Sequence, residues 1–142
     1  MKNIIPRFHL AFPVHDLEEA RRFYVDTIGC KTGRESDKWI DFDLYGHQIV
    51  AHLSPGDCNP VSTNSVDEDN IPCRHFGVIL KWKEWEILQN RIIKLNHGFL
   101  VEPKIRFKFK PGEQGTFFIN DPSGNTLEFK TFKNDSMVFE KL

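Results

Sequence analysis

Long apolar runs are missing from this sequence. None approaches the length of a bilayer span, and Met1 to Pro6 holds too short an apolar stretch for a secretion signal. Cysteine is scarce. Cys30, Cys58 and Cys73 are odd in number and widely spaced. They form no Cys-x-x-Cys pair, which excludes the usual cysteine zinc and redox motifs. They read as reduced thiols of a cytoplasmic protein, with Cys30 beside Gly29 a small buried residue. An excess of one charge is also lacking: 19 basic residues face 20 acidic ones, for a formal net charge of -1. That balance argues against a nucleic acid or an anionic membrane held by global charge.

What is present is an ordinary globular balance, 39% hydrophobic and 27% charged in 142 residues, enough for one domain with a real core. Two stretches organise it. Phe8, Leu10 and Phe12 alternate with His9 and Ala11; Phe76, Val78 and Leu80 alternate with His75 and Gly77. In a strand, alternate side chains share a face. Each stretch therefore predicts an apolar face to be covered by a helix. The opposite face carries an imidazole with a small residue two positions on.

The same order of elements follows each stretch. Asp16 caps a helix over residues 16–28, with Glu19 completing a capping box, an apolar stripe at Leu17, Ala20, Tyr24 and Ile28, and a stop at Gly29. Strands are predicted over 38–44 and 48–53, joined by Tyr45-Gly46. Residues 54–71 show no apolar period and read as a linker or loop. A second helix spans 83–95, with Trp85, Leu88, Ile92 and Leu95 on one stripe and no good N-cap. Ile105, Phe107 and Phe109 alternate with Lys104, Arg106, Lys108 and Lys110. This predicts a half-exposed strand with basic residues outward and aromatics inward, rather than a nucleic-acid platform. Residues 116–120 and 126–132 form a hairpin across Asp121 to Asn125. The expected class is α+β: two repeats whose sheets pair around one cleft, with boundaries at 8–53, 54–73 (linker) and 74–132.

On the last strand Glu128 opposes an apolar face, as His9 and His75 do. Two imidazoles and a carboxylate form a facial set for a divalent metal, with open positions for substrate, water or oxygen. Iron(II) or manganese(II) leads; zinc, nickel and cobalt suit the same ligands. His47, Gln48 and His52 are candidates for the lining. His47 or His52 would serve as general acid or base, and Gln48 as a substrate contact.

The chain resembles the vicinal oxygen chelate superfamily, which includes glyoxalase I, the bleomycin and fosfomycin resistance proteins and the extradiol dioxygenases. The resemblance rests on His9, on Asp16 to Tyr24 with Ile28-Gly29-Cys30, and on Phe117 to Glu128. It implies paired βαβββ modules forming a curved, cleft-bearing mixed sheet, and a metal held by His9, His75 and Glu128. A homodimer and a small-molecule substrate chelated through adjacent oxygens are also implied. Glyoxalase I usually adds a fourth ligand, a Glu, where pairing Gly46 with Gly124 puts Val50 here. That favours a dioxygenase-like enzyme over a glyoxalase-type isomerase, with fosfomycin-type thiol or water addition as another class. Extradiol enzymes carry a second-sphere His near the place of His47, and a Tyr and a His where this chain has Phe118 and Phe109. A metal-free protein of the bleomycin-sequestering type ranks lower, because all three ligands are kept.

Overall fold

The computed structural model describes residues 5–59, 62–66 and 69–141. The fold is α+β, with few helices and open mixed sheets. The chain forms two compact units, Met1–Asn59 with Pro122–Asn125, and Pro60–Asp121 with Thr126–Leu142.

The first unit opens with β1 (His9–Val14), continues through helix α1 (Leu17–Arg21) and adds β2 (Lys31–Glu35), β3 (Trp39–Leu44) and β4 (His47–Leu53). The sheet order is β1-β4-β3-β2: β1 pairs parallel with β4, and the other strands meander antiparallel. Asp16 caps α1 by accepting the Glu19 N–H at 2.8 Å. The Glu19 carboxylate lies 3.4 Å from His15 Nδ1. The expected α-helix does not run unbroken to residue 28; Arg22–Ile28 winds as a π-helix. Its apolar residues recur at every fourth position (20, 24, 28). That spacing suits an α turn and does not by itself call for the wider winding, within which Phe23, Tyr24 and Ile28 are buried. Tyr24 is fully buried and packs against Phe12, Phe23 and Phe42. Ile40, Phe42 and Leu44 of β3 and Ile49 and Ala51 of β4 complete this core. Tyr45 and Gly46, at φ 51° and 91°, make the tight turn between these strands. Phe8 is 61% exposed, so no helix among the described residues covers that end of the expected apolar face.

The second unit begins inside the expected linker. Pro55–Asp57, still in the first unit, is a 3-10 turn, and β5 (Thr63–Val66) and β6 (Asp69–Pro72) form a hairpin in the second. This part of the chain is ordered by contacts rather than by its own periodicity. Ile71 is buried with Val101 and Phe118, and Asp69 accepts from Lys104 Nζ at 2.8 Å. The strand expected over 74–80 is split into β7 (His75–Phe76) and β8 (Ile79–Leu80). Both pair parallel with β11 (Thr126–Phe132). The break falls at Gly77-Val78, where Gly77 lies so close to the Glu128 backbone that any Cβ would overlap its carbonyl oxygen.

Helix α2 (Trp82–Lys94), β9 (Val101–Arg106) and β10 (Gln114–Asn120) complete the sheet β7-β11-β10-β9. Trp85, Leu88 and Ile92 are buried, whereas Leu95, just past the last helical residue, is half exposed. Trp85 Nε1–H donates to the Phe129 carbonyl at 2.9 Å, fixing α2 to β11. The expected parity of residues 104–110 is reversed. Lys104 turns inward to Asp69, and β9 stops at Arg106. Phe107 and Phe109 adopt φ 54° and 64° and point to solvent, Phe109 being 89% exposed. Turn bonds from Lys110 N–H to the Phe107 carbonyl and from Phe109 N–H to the Glu113 carboxylate hold that loop. No helix among the described residues is long and apolar enough to cross a membrane.

Candidate metal centre

The second unit brings two of the expected ligands together. β11 alternates Leu127, Phe129 and Thr131 into the core, which leaves Glu128 on the other face. β7 runs beside it with His75 paired to Thr126. His75 Nε2 thereby lies 3.8 Å from Glu128 Oε1, with both side chains partly shielded. Each has a further partner. His75 Nδ1 is 2.7 Å from the Pro72 carbonyl, and Thr116 Oγ1–H donates to Glu128 Oε2 at 2.9 Å. A carbonyl only accepts, so a proton resides on Nδ1, and in the neutral ring Nε2 keeps its lone pair. Phe118, the cross-strand partner of Glu128, meets the His75 ring edge-on at 5.3 Å between centroids.

The first unit prepares its imidazole by a different route. His9 is paired with Gln48 across β1 and β4. Its Nδ1 is 2.8 Å from Gln48 Oε1, again an acceptor only, so in the neutral ring Nε2 is again the unprotonated nitrogen. Gln48 Nε2–H in turn donates to Asp41 Oδ2 at 3.4 Å. His47 is engaged with the backbone, its Nδ1 accepting the Phe8 N–H at 2.9 Å. His52 is exposed at the far end of β4, between Pro13 and Trp39 in the ladder. A cleft of about 440 Å³ in this unit is lined by Arg7, Lys31, Arg34, Asp41, His47 and Gln48.

Among the described residues, no group of three or more His, Cys, Asp or Glu side chains is gathered to hold a metal ion. The donors themselves suit one. Neutral imidazoles with a fixed Nδ1–H and a hydrogen-bonded carboxylate are what a divalent transition metal takes, with outer partners that orient each ligand. The partners of these candidate ligands, Pro72, Thr116 and Asp41, carry no motif of their own in the sequence. Strand parity puts Thr116 and Asp41 on the right faces, but the carbonyl of Pro72 has no side-chain signal. His15 was also passed over. It lies 3.3 Å from Ser123 Oγ and 3.4 Å from Glu19 Oε2. Both contacts use Nδ1, whereas a Ser-His-acid relay needs the two ring nitrogens separately.

A structure described as glyoxalase/bleomycin resistance protein/dioxygenase from Alicyclobacillus acidocaldarius is similar to this chain, at 36% identity and TM-score 0.78. It covers 98% of this chain and 100% of its own. The fosfomycin resistance protein FosX from Listeria monocytogenes shares the fold at 16% identity and TM-score 0.68, covering 95% of this chain and 99% of its own. Lactoylglutathione lyase from Agrobacterium tumefaciens does so at 16% and 0.61, covering 92% and 96%. No curated protein matches. The family model described as Glyoxalase/Bleomycin resistance protein/Dioxygenase superfamily matches residues 8–129, a span that opens one residue before His9 and closes one residue after Glu128. On that match the chain belongs to the glyoxalase/bleomycin resistance protein/dioxygenase superfamily.

Proposed function

We propose that the protein is a metal-dependent enzyme acting on a small molecule with two adjacent oxygens, and that His9, His75 and Glu128 hold the cation, iron(II) or manganese(II) first. The observation that carries this reading is the pair His75–Glu128. Nε2 faces Oε1 at 3.8 Å, while Nδ1 and Oε2 are both occupied by outer partners. When bound, the cation supplies Lewis-acid stabilisation of charge on the substrate oxygens, at positions that three protein ligands leave open. The chain's own contribution is orientation. Thr116 fixes the carboxylate, Pro72 fixes the imidazole, and Phe118 limits water beside them.

The dioxygenase-like reading goes with a three-ligand set. The ladder supports the assignment of Val50: Gln48 pairs with His9 and Thr126 with His75, so Val50 and Glu128 each stand two residues beyond the partner of a His. A second reading, addition of a thiol or water to an epoxide, is favoured by one contact. Phe118 meets His75 where, by the resemblance, the extradiol enzymes carry a Tyr. Isomerisation of the glyoxalase type ranks behind both. The homodimer expected from the sequence belongs to the same proposal.

Metal analysis of protein purified without added metal, with and without His75→Ala, tests the site. One equivalent in the parent and none in the variant is expected. Full retention by the variant overturns the site, and a metal-free parent leaves the sequestering type of protein standing. Oxygen uptake on a catechol panel, epoxide opening and lactoylglutathione formation then separate the reactions.

A further inference from the structure

The two candidate imidazoles reach the same tautomer by unequal means. His75 is held by the backbone carbonyl of Pro72, which no substitution of a neighbouring side chain removes. His9 is held by a side chain that itself needs holding. The Gln48 amide presents oxygen or N–H to His9 depending on a half-turn of its last torsion, and the two orientations impose opposite tautomers. Asp41 decides between them. Its Oδ2 accepts only, so the Gln48 N–H must face it at 3.4 Å and Oε1 must face His9 at 2.8 Å. Strand parity delivers all three side chains to one face. β1, β4 and β3 are adjacent, with His9 level with Gln48 and Asp41 level with Val50.

We infer that Asp41 and Gln48 are positioning residues that fix His9 as its Nδ1–H tautomer and so aim the Nε2 lone pair outward as a ligand. The use of that lone pair for a metal rests on the function proposed above; the relay itself does not. Without the relay, His9 reverts to the Nε2–H tautomer that a free imidazole side chain prefers, and a cation must bind against that preference.

Long-range proton–nitrogen correlation spectra of the metal-free full chain at pH 8.5, where imidazoles are neutral, read each ring's tautomer directly. The parent is expected to show Nδ1–H at both His9 and His75. Gln48→Leu moves His9 to Nε2–H and leaves His75 unchanged as the internal control. Asp41→Leu, which frees the amide to rotate, gives a mixture. An Nε2–H signal for His9 in the parent, or no change in Gln48→Leu, overturns the relay. A parallel shift of His75 in that variant does so too, since it marks a general disturbance. Asp41→Leu with an unaltered His9 signal removes Asp41 from it. Manganese(II) titration adds the second arm. Gln48→Leu weakens binding by about tenfold or more. A parent that binds no manganese overturns the proposed function while the tautomer result still reads on the relay.

Discussion

Gly77→Ala is the smallest change that tests the geometry of the site-bearing edge. On an open surface this substitution stabilises a protein by about 0.4–1 kcal/mol, because alanine restricts the unfolded chain. At Gly77 the sign reverses. The added Cβ overlaps the Glu128 carbonyl oxygen, stands 2.6 Å from its carbonyl carbon and 3.2 Å from its nitrogen. All three are backbone atoms of a paired strand, so no side chain can swing aside. Clearing the carbon alone requires about 1 Å of separation, since non-bonded carbons rest at about 3.5–4.0 Å. The Lys130 N–H to Val78 carbonyl bond is already 3.2 Å long and does not survive such a shift. Opening about three hydrogen bonds of the β7–β8 edge, at about 1 kcal/mol each, gives a loss of about 3 kcal/mol. The same displacement separates His75 from Glu128.

Urea unfolding at pH 7 reads the loss, with Gly98→Ala as the reference, since a Cβ there meets nothing within 4 Å. The expected result is a neutral or slightly more stable Gly98→Ala beside a Gly77→Ala that is about 3 kcal/mol weaker. A Gly77→Ala variant within about 0.5 kcal/mol of the parent would refute the close approach of the two backbones.

Three further outcomes follow from other contacts. Arg21 forks onto both Glu35 oxygens at 2.9 and 3.0 Å, and this side-chain hydrogen bonding, with the guanidinium charge, holds the Glu35 carboxyl below the usual range. The stability so gained is present above the ordinary carboxylate pKa and is lost as pH falls through the lowered one. Glu35→Gln should therefore be weaker than the parent at pH 7 and equal to it at pH 2; an unchanged gap at pH 2 assigns the effect to packing. Burial pushes the Cys30 thiol up to about 12, so at pH 8 a thiol reagent should label exposed Cys73 in the native protein and reach Cys30 only after denaturation. Equal labelling rates would sink that assignment. The buried Thr131 hydroxyl has no hydrogen-bond partner among the described residues, so Thr131→Val should leave stability unchanged or raise it by up to about 1 kcal/mol. A loss larger than that in thermal unfolding would point to a missed partner.

Elements with a strict apolar period were legible in the sequence. Ile40, Phe42 and Leu44 against Trp39, Asp41 and Asp43 gave β3. The hairpin across Asp121 to Asn125 was bounded nearly as found. What escaped lacks a periodic signal. The β5–β6 hairpin is built largely from polar residues and is held by Ile71 and Asp69. The loop after β9 turns on two phenylalanines at positive φ, where glycine or asparagine would have been the sign. The proximity of His75 to Glu128 was readable because both follow from strand parity. Their outer partners were not, since they depend on register and, for Pro72, on a main-chain oxygen.

Register also explains why the two units are unequal at one equivalent cross-strand pair. In the first unit Asp41 of β3 faces Val50 of β4; in the second Phe118 of β10 faces Glu128 of β11. Acid and apolar residue have exchanged strands. In the second unit the carboxylate is on the strand next to the imidazole and comes within 3.8 Å of it. In the first it is one strand further away, and Gln48 bridges the distance. An acid on the neighbouring strand can share a cation with its imidazole, whereas an acid beyond an amide can only set the imidazole's tautomer. The exchange thus leaves the carboxylate of each unit with a different neighbour, an imidazole in one and an amide in the other. Val50 thus places no carboxylate on the strand beside His9, while Asp41 keeps one on the same face.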